Sequence, residues 1–268
     1  MTHSLTNAFL LNDKHAWVSA ATRGIGQACA LALAEHGAQV TVTGRDAAAL
    51  QALSQRLPAP HNGQHHTVVV DHEDAKGVKT AIRNHVDELG PIHILINNSG
   101  GPPGGPITDA TGEQFSAWFA QHLLCNHFQA QAVLPGMTQA GYGRIINIVS
   151  TSVKQPIKGL GVSNTIRGAV ASWSKTLSGE VAPFGITVNN ILPGATATDR
   201  LTHLVKTRAE ASGRSEDDVS GSMQREIPMG RFAQPAEIAA AVVFLASPAA
   251  SYITGVSLPV DGGRTDCL

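Results

Sequence analysis

The chain has 268 residues, of which 43% are apolar and 15% charged. That is enough apolar material to bury a core, and the balance excludes a disordered chain. With 19 Lys and Arg against 20 Asp and Glu the net charge is −1, so no global positive field exists to gather nucleic acid or an anionic membrane.

Residues 1–13 read as a loose arm ahead of one domain spanning 14–268. This start lacks the basic residues and long apolar run of a secretory signal, and no stretch approaches the ~20 apolar residues of a membrane span. Cys29, Cys125 and Cys267 form no CxxC pair and give no disulfide framework, so a reducing cytoplasm is the expected setting. Short β-branched runs recur at 15–20, 38–43, 66–71, 93–98, 144–149, 186–192 and 256–260. They are nearly continuous rather than alternating, as strands are when both sheet faces are buried. Helical patterns fill the gaps at 26–37, 46–57, 73–89, 111–134, 163–183 and 235–247. The first stops at Gly37; the second starts on Asp46 and ends before Pro58. This alternation predicts a Rossmann-like, doubly wound α/β fold: a single domain with a seven-stranded parallel sheet and helices on both faces.

Segment 199–230 is more polar and interrupts the rhythm, as a substrate lid at the C-terminal end of a strand does. Its Leu201, Leu204, Met223, Ile227 and Met229 suit either a partly apolar pocket or the lid's own packing. The GGPPGGP stretch at 100–106 reads as a stiff loop, over the cleft or purely structural. His61 and His65 sit beside Pro60 and Gly63 rather than on a helix, so no metal is expected.

Chemistry concentrates first in SAATRGIGQA, 19–28, between the first strand and the first helix. Small residues there let a pyrophosphate approach backbone N–H groups at a helix N-terminus. Ala20, Thr22, Arg23, Gly24, Ile25 and Gly26 are therefore candidate cofactor residues, although their spacing departs from G-x-G-x-x-G. Sites that prefer NAD place an acid at the end of the second strand. Here Gly44 and Arg45 stand there, with Arg23 in the loop. Two guanidiniums favour a 2′-phosphate, so NADP(H) is expected over NAD(H); Arg45 equally suits a solvated helix start.

These features together with Asp71, INNSGG (96–101), IINIVS ending at Ser150, ILPGATATD (191–199) and YITGVSLPVDGG (252–263) give a specific pattern. From residue 15 onward the chain resembles the short-chain dehydrogenases/reductases, most nearly those labelled 3-oxoacyl-acyl-carrier-protein reductase-like. The resemblance implies that Asn97, Ser99 and Gly100 support the sheet and line the nicotinamide side of the cofactor. It implies that Pro193 and Gly194 border the nicotinamide, that Thr198, with Thr196 in the same loop, bonds its carboxamide, and that Asp71 meets the adenine. The Asp261–Gly263 tail implies a homotetramer, or a dimer.

The resemblance also implies a catalytic Ser, Tyr, Lys and Asn, and here the pattern breaks. Ser150 fits the Ser. Thirteen residues on stands Ser163, and four further Arg167; the Asn position is His122. The two tyrosines, Tyr142 and Tyr252, lie elsewhere. The chain resembles a subset of the family with this Ser-Asn-x-x-Arg pattern. An aliphatic hydroxyl has no pKa comparable to that of Tyr, and Arg stays protonated, though it can bond a ribose or a substrate carboxylate. Proton transfer is therefore lost or rerouted: His122 is a donor or merely takes the Asn's structural hydrogen bonds, Lys154 and Lys158 in the following loop are donors or merely solvated, and Ser150 with a water is a third route. Ala20 replaces the usual first Gly, at about 1 kcal/mol or more if its φ is positive. The expected activity is carbonyl/alcohol interconversion on a small molecule. The alternatives are a catalytically silent NADP(H)-binding sensor or partner subunit, and a lyase or isomerase without net redox change.

Overall fold

In the computed structural model, which describes residues 7–267, the seven β-branched runs form one parallel sheet. The strands are β1 (His15–Val18), β2 (Gln39–Gly44), β3 (His66–Val69), β4 (Ile94–Asn97), β5 (Gly143–Ile148), β6 (Ile186–Pro193) and β7 (Ser257–Val260). Their order is β3-β2-β1-β4-β5-β6-β7. Alternate side chains serve opposite faces. Ala16, Val18, Ile94, Ile96, Ile146 and Ile148 join one cluster, whereas Trp17, Leu95 and Ile145 join the other. Both clusters are apolar, which is why the strands read as continuous runs.

Helices α1 (Gly24–Glu35) and α2 (Ala47–Arg56) cover the first face, and α3 (Ala75–Leu89) covers the second. Helix α4 (Gly112–Phe119) passes through one wider π turn, Ala120–Leu124, into α5 (Cys125–Ala140). Helices α5 and α6 (Gly161–Val181) complete the second face. The predicted lid is two helices, α7 (Asp199–Ser212) and α8 (Glu216–Arg225), and α9 (Pro235–Ala246) returns to pack on α1. Most of the lid's apolar residues serve the lid itself: Leu201, Val205, Ala209 and Val219 form a small buried cluster against Leu204, Met223 and Phe232. Ile227 is buried, whereas Met229 is exposed.

The expectation of a loose arm over 1–13 is corrected within its described part. Leu11 is fully buried in the first cluster, its N–H donates to His36 O at 2.8 Å, and Phe9 stacks on Phe244 at 6.4 Å. An apolar side chain with a core to enter ties the segment down. Residues 1–6 lie outside the described residues.

The strand order reverses between β1 and β4. In an open α/β sheet that switch point leaves a crevice at the strands' C-terminal ends. Below it, amides stitch the strands together. Asn97 donates to Asn147 at 2.8 Å, Asn147 to Asn190 at 2.9 Å, and Asn190 to Ser257 at 3.1 Å. Gln129 donates to Asn97 at 3.2 Å and accepts from Trp17 and Ser19. Buried amides cost free energy unless bonded, and this ladder satisfies them in one register.

Candidate active site

The first wall of the crevice is the β1–α1 loop. Its backbone is set by hydrogen bonds from Ser19 N to Ile96 O at 3.0 Å and from Ala21 N to Thr43 O at 2.8 Å. Asn98 clamps it from β4, donating to Ser19 O at 3.2 Å and Ala20 O at 3.3 Å. Ala20 has φ +49°, the left-handed region that its methyl group disfavours. Gly24 has φ +57° and begins α1, and a Cβ there would lie 3.2 Å from Thr198 Cγ2. A methyl at Gly26 would collide with the Ala20 carbonyl oxygen.

Helix α1 has no side-chain cap and no acid in its first turn, so its leading N–H groups stay open to an anion. The loop therefore fits a pyrophosphate: glycine where the backbone must approach closely, and a helix terminus without competitors. Ile25 packs partly on the core and Thr22 touches the end of β2, so both shape the loop through packing. Arg45 lies beyond β2, 3.9 Å from Asp71 and 3.8 Å from Glu73, all of them substantially exposed. Arg23 lies 3.7 Å from Asp199 on the lid. Each guanidinium thus has a carboxylate neighbour that the sequence reading did not assign.

The second wall is built from β4, β5 and β6. Asn97 takes the sheet-supporting part of its expected role: its side chain is buried in the amide ladder and holds β4 and β5 in register. Ser99 instead reaches the π turn, its hydroxyl 2.9 Å from His122 Nδ1. Gly100 stands open, with nothing within 4 Å of a Cβ built on it. Pro193 ends β6, and Gly194 packs so closely on Asp261 that a Cβ would lie 2.7 Å from its Cα. The Thr196 hydroxyl donates to Gly194 O at 3.1 Å, and that of Thr198 to Thr196 O at 3.2 Å. This chain of contacts brings the β6 exit loop against Gly24.

Ser150 lies just beyond β5 and caps the turn Thr151–Val153, its Oγ accepting from Ser152 N at 3.1 Å. Ser163 and Arg167 lie one turn apart on α6; Ser163 is buried and makes no hydrogen bond to the described residues. Arg167 is 9% exposed and donates to Ile148 O at 2.9 Å, while its buried Nε has no partner. Burial, and then the charge of Arg200, pull its pKa down to about 10, still protonated at neutral pH. His122 is 3% exposed, and its Nε2 also lacks a partner. Burial first, then the charges of Arg167, His72 and Arg200, hold it well below the usual histidine range. A ring held low chiefly by burial is a poor imidazolium acid, and its contact with Ser99 is the structural hydrogen bonding expected of the Asn position. Lys154 is exposed on the loop after Ser150.

Two participants escaped the sequence reading. Arg200, at the start of α7, donates to Gly101 O at 3.0 Å and Pro102 O at 3.2 Å, pinning the lid to the 100–106 loop. That loop is held on its other side by Gly105 N to Gly159 O at 2.7 Å and Gly161 N to Gly105 O at 3.1 Å. His72 is buried with an unpartnered Nε2, and burial lowers it to about 4. The neighbours of these residues are set by the lid and the β3–α3 loop, which have no local sequence signature; only the doublet Asp199-Arg200 at a helix start hinted at a second cation. Among the described residues no group of three or more His, Cys, Asp or Glu could hold a metal ion.

Comparison with known proteins agrees with this geometry. The family model for enoyl-(acyl carrier protein) reductase matches residues 19–265. The 3-oxoacyl-[acyl-carrier-protein] reductase FabG of Vibrio harveyi is 34% identical over 255 residues, covering 94% of this chain and 98% of its own. Gluconate 5-dehydrogenase of Gluconobacter oxydans is 30% identical over 260 residues, covering 97% and 98%. The crystal structure of L-sorbose reductase from Gluconobacter frateurii, complexed with NADPH and L-sorbose, superposes with a TM-score of 0.90 at 29% identity, covering 97% of this chain and 100% of that one.

Proposed function

The chain belongs to the short-chain dehydrogenase/reductase family of oxidoreductases, and from that premise we propose that it interconverts a small carbonyl compound and its alcohol with NADP(H), through a non-standard active site. One observation carries this reading. An uncapped helix N-terminus follows β1, His122 contacts Ser99 just after β4, and Ser150 and the Arg167–Ile148 bond mark the end of β5, so all lie at the C-terminal ends of three adjacent strands where the strand order reverses.

The fit to NADP(H) rests on the α1 terminus for the pyrophosphate and on Arg45 and Arg23 for a 2′-phosphate. The L-sorbose reductase structure holds NADPH, which supports the same preference here. Bound NADPH supplies the hydride.

The chain's own residues hold the carbonyl and deliver the proton. Ser150 Oγ already accepts a bond from Ser152 N, which leaves its O–H free to donate to a substrate oxygen. The solvent-derived proton reaches that oxygen through the Ser150 hydroxyl, because Arg167 holds its proton and His122 is neutral. The buried positive charge of Arg167 stabilises the developing alkoxide. The exposed Tyr252 beside β7, at the sheet edge, supports assembly of copies into a tetramer or a dimer. Among the described residues no helix is long and apolar enough to cross a membrane.

The test is Ser150→Ala. NADPH affinity stays unchanged while the rate of reduction falls about 100-fold or more. The replacement of the Tyr-Lys pair by Ser163 and Arg167 favours a second reading, a silent NADP(H)-binding protein. NADPH binding without turnover of any carbonyl in a broad screen selects that one.

A further inference from the structure

Two guanidiniums stand at this crevice, the buried Arg167 and the more exposed Arg200, and among the described residues no carboxylate pairs with either. Arg167 is nine-tenths buried, with one main-chain acceptor and an orphaned Nε. The recorded hydrogen bonds of Arg200 go to the main-chain carbonyls of Gly101 and Pro102. Among the described residues neither arginine is in an ion pair; Arg144, also buried and without one, differs in meeting the carbonyls of Gly143 and Gly185 and the Tyr142 ring, whereas Arg167 has Ile148 O alone. Asp199, the acid next to Arg200 in sequence, turns away to Arg23. The two side chains sit beyond neighbouring strands: Arg167 bonds Ile148 O at the end of β5, and Arg200 bonds Gly101 O and Pro102 O just after the paired strand β4.

An unpaired buried guanidinium is costly, and a protein keeps one where a ligand supplies the counter-charge. The cofactor's phosphates do not serve, because their place is the α1 terminus and Arg45, on the other wall. We propose that the substrate itself carries a carboxylate near its reacting carbonyl, and that Arg167 and Arg200 hold it. This rests on the oxidoreductase reading above and narrows its substrate class to oxo acids and their hydroxy-acid counterparts. Guanidinium forks match a carboxylate in plane and in hydrogen-bond spacing. Because Arg200 also ties the lid to the 100–106 loop, an arriving carboxylate engages the lid as it binds.

The experiment titrates the protein, with and without saturating NADPH, with acetoacetate, pyruvate and tartrate, each beside its methyl ester. Binding is read from NADPH fluorescence and from the thermal midpoint. At least one acid binds about tenfold or more tightly than its ester, as loss of a charged hydrogen-bond pair predicts. Arg200→Gln erases that preference and Arg200→Lys restores part of it, while Arg83→Gln, an exposed substitution on α3, preserves it. Esters that bind as well as every acid, or an acid preference that survives Arg200→Gln, overturn the proposal. Failure of NADPH to bind is a separate result that removes the cofactor reading. In that case the thermal midpoint without NADPH still decides: an acid-specific shift lost in Arg200→Gln supports the arginine pair, and no shift refutes it.

Discussion

Replacing Arg45 with Ala separates the two cofactors. In the free protein the guanidinium lies 3.9 Å from Asp71 and 3.8 Å from Glu73, and all three side chains are substantially exposed. Exposed pairs of this kind are worth about 0–1 kcal/mol, so losing them barely touches stability. A charge-assisted bond from the same guanidinium to a 2′-phosphate is worth about 1.5–3 kcal/mol. Part of that is offset by releasing Arg45 from its two carboxylates when the phosphate arrives. The net loss on removal is about 1–2 kcal/mol, or roughly 5–30-fold in the NADPH dissociation constant. NADH has no 2′-phosphate and loses less than about threefold. Parallel fluorescence titrations with NADPH and NADH measure both constants at one ionic strength. Equal losses for the two, or no loss for NADPH, would refute the assignment of Arg45 to the 2′-phosphate.

Three other outcomes follow from the same coordinates. Gly26→Ala puts a methyl against the Ala20 carbonyl and 2.8 Å from Asn98 Nδ2. The overpacking costs about 1–3 kcal/mol and displaces the loop, so titration finds NADPH binding lost or greatly weakened in a folded protein. Ala20→Gly relieves the strain of φ +49°. Relief of about 1–2 kcal/mol exceeds the added unfolded-state entropy of about 0.5–1, so the urea midpoint rises slightly; a fall would show that Ala20 is unstrained. Acid weakens the fold. Burial holds His15 to about 3 and His72 and His85 to about 4 in the native state, against about 6.5 for an unperturbed histidine. Above 6.5 neither state binds these protons, and below it only the unfolded chain does, so stability is lost as pH falls from 6.5 towards 4. For His72 alone the loss reaches roughly 3 kcal/mol, and His72→Gln flattens the pH dependence of denaturant melts by about that much.

The sheet was legible because both of its faces are buried. Each strand shows an unbroken apolar run, and seven such runs alternating with helices admit few topologies. Helix limits were less clear. The expected break at residue 134 is absent, since α5 carries Pro135 inside it and continues to Ala140. The π turn at Ala120–Leu124 has no composition of its own, yet it sets where His122 faces. Loop residues that act through the backbone, such as Gly24 and Gly26, could be found by spacing. Side chains whose role depends on a distant partner could not. Asn97 looks like a cofactor residue until Asn147 and Gln129 take its amide, and Arg200 looks like a solvated helix-start residue until the lid brings it to Gly101. His122 shows the same limit. Its residue type suggests an acid, and only its burial, with cations beside it, reveals a ring held below the usual histidine range.

The central claim is that this crevice moves a hydride from NADPH to a carbonyl without a Tyr-Lys pair. The direct measurement is mass spectrometry of the product after single-turnover incubation of the protein with NADPH deuterated at nicotinamide C4 and a panel of oxo acids. The account predicts one deuterium on the carbinol carbon of at least one product, and its loss in Ser150→Ala protein that still binds NADPH. Deuterium that stays on the cofactor across the panel, with NADPH bound, would contradict it and leave a nucleotide-binding protein in place of an enzyme.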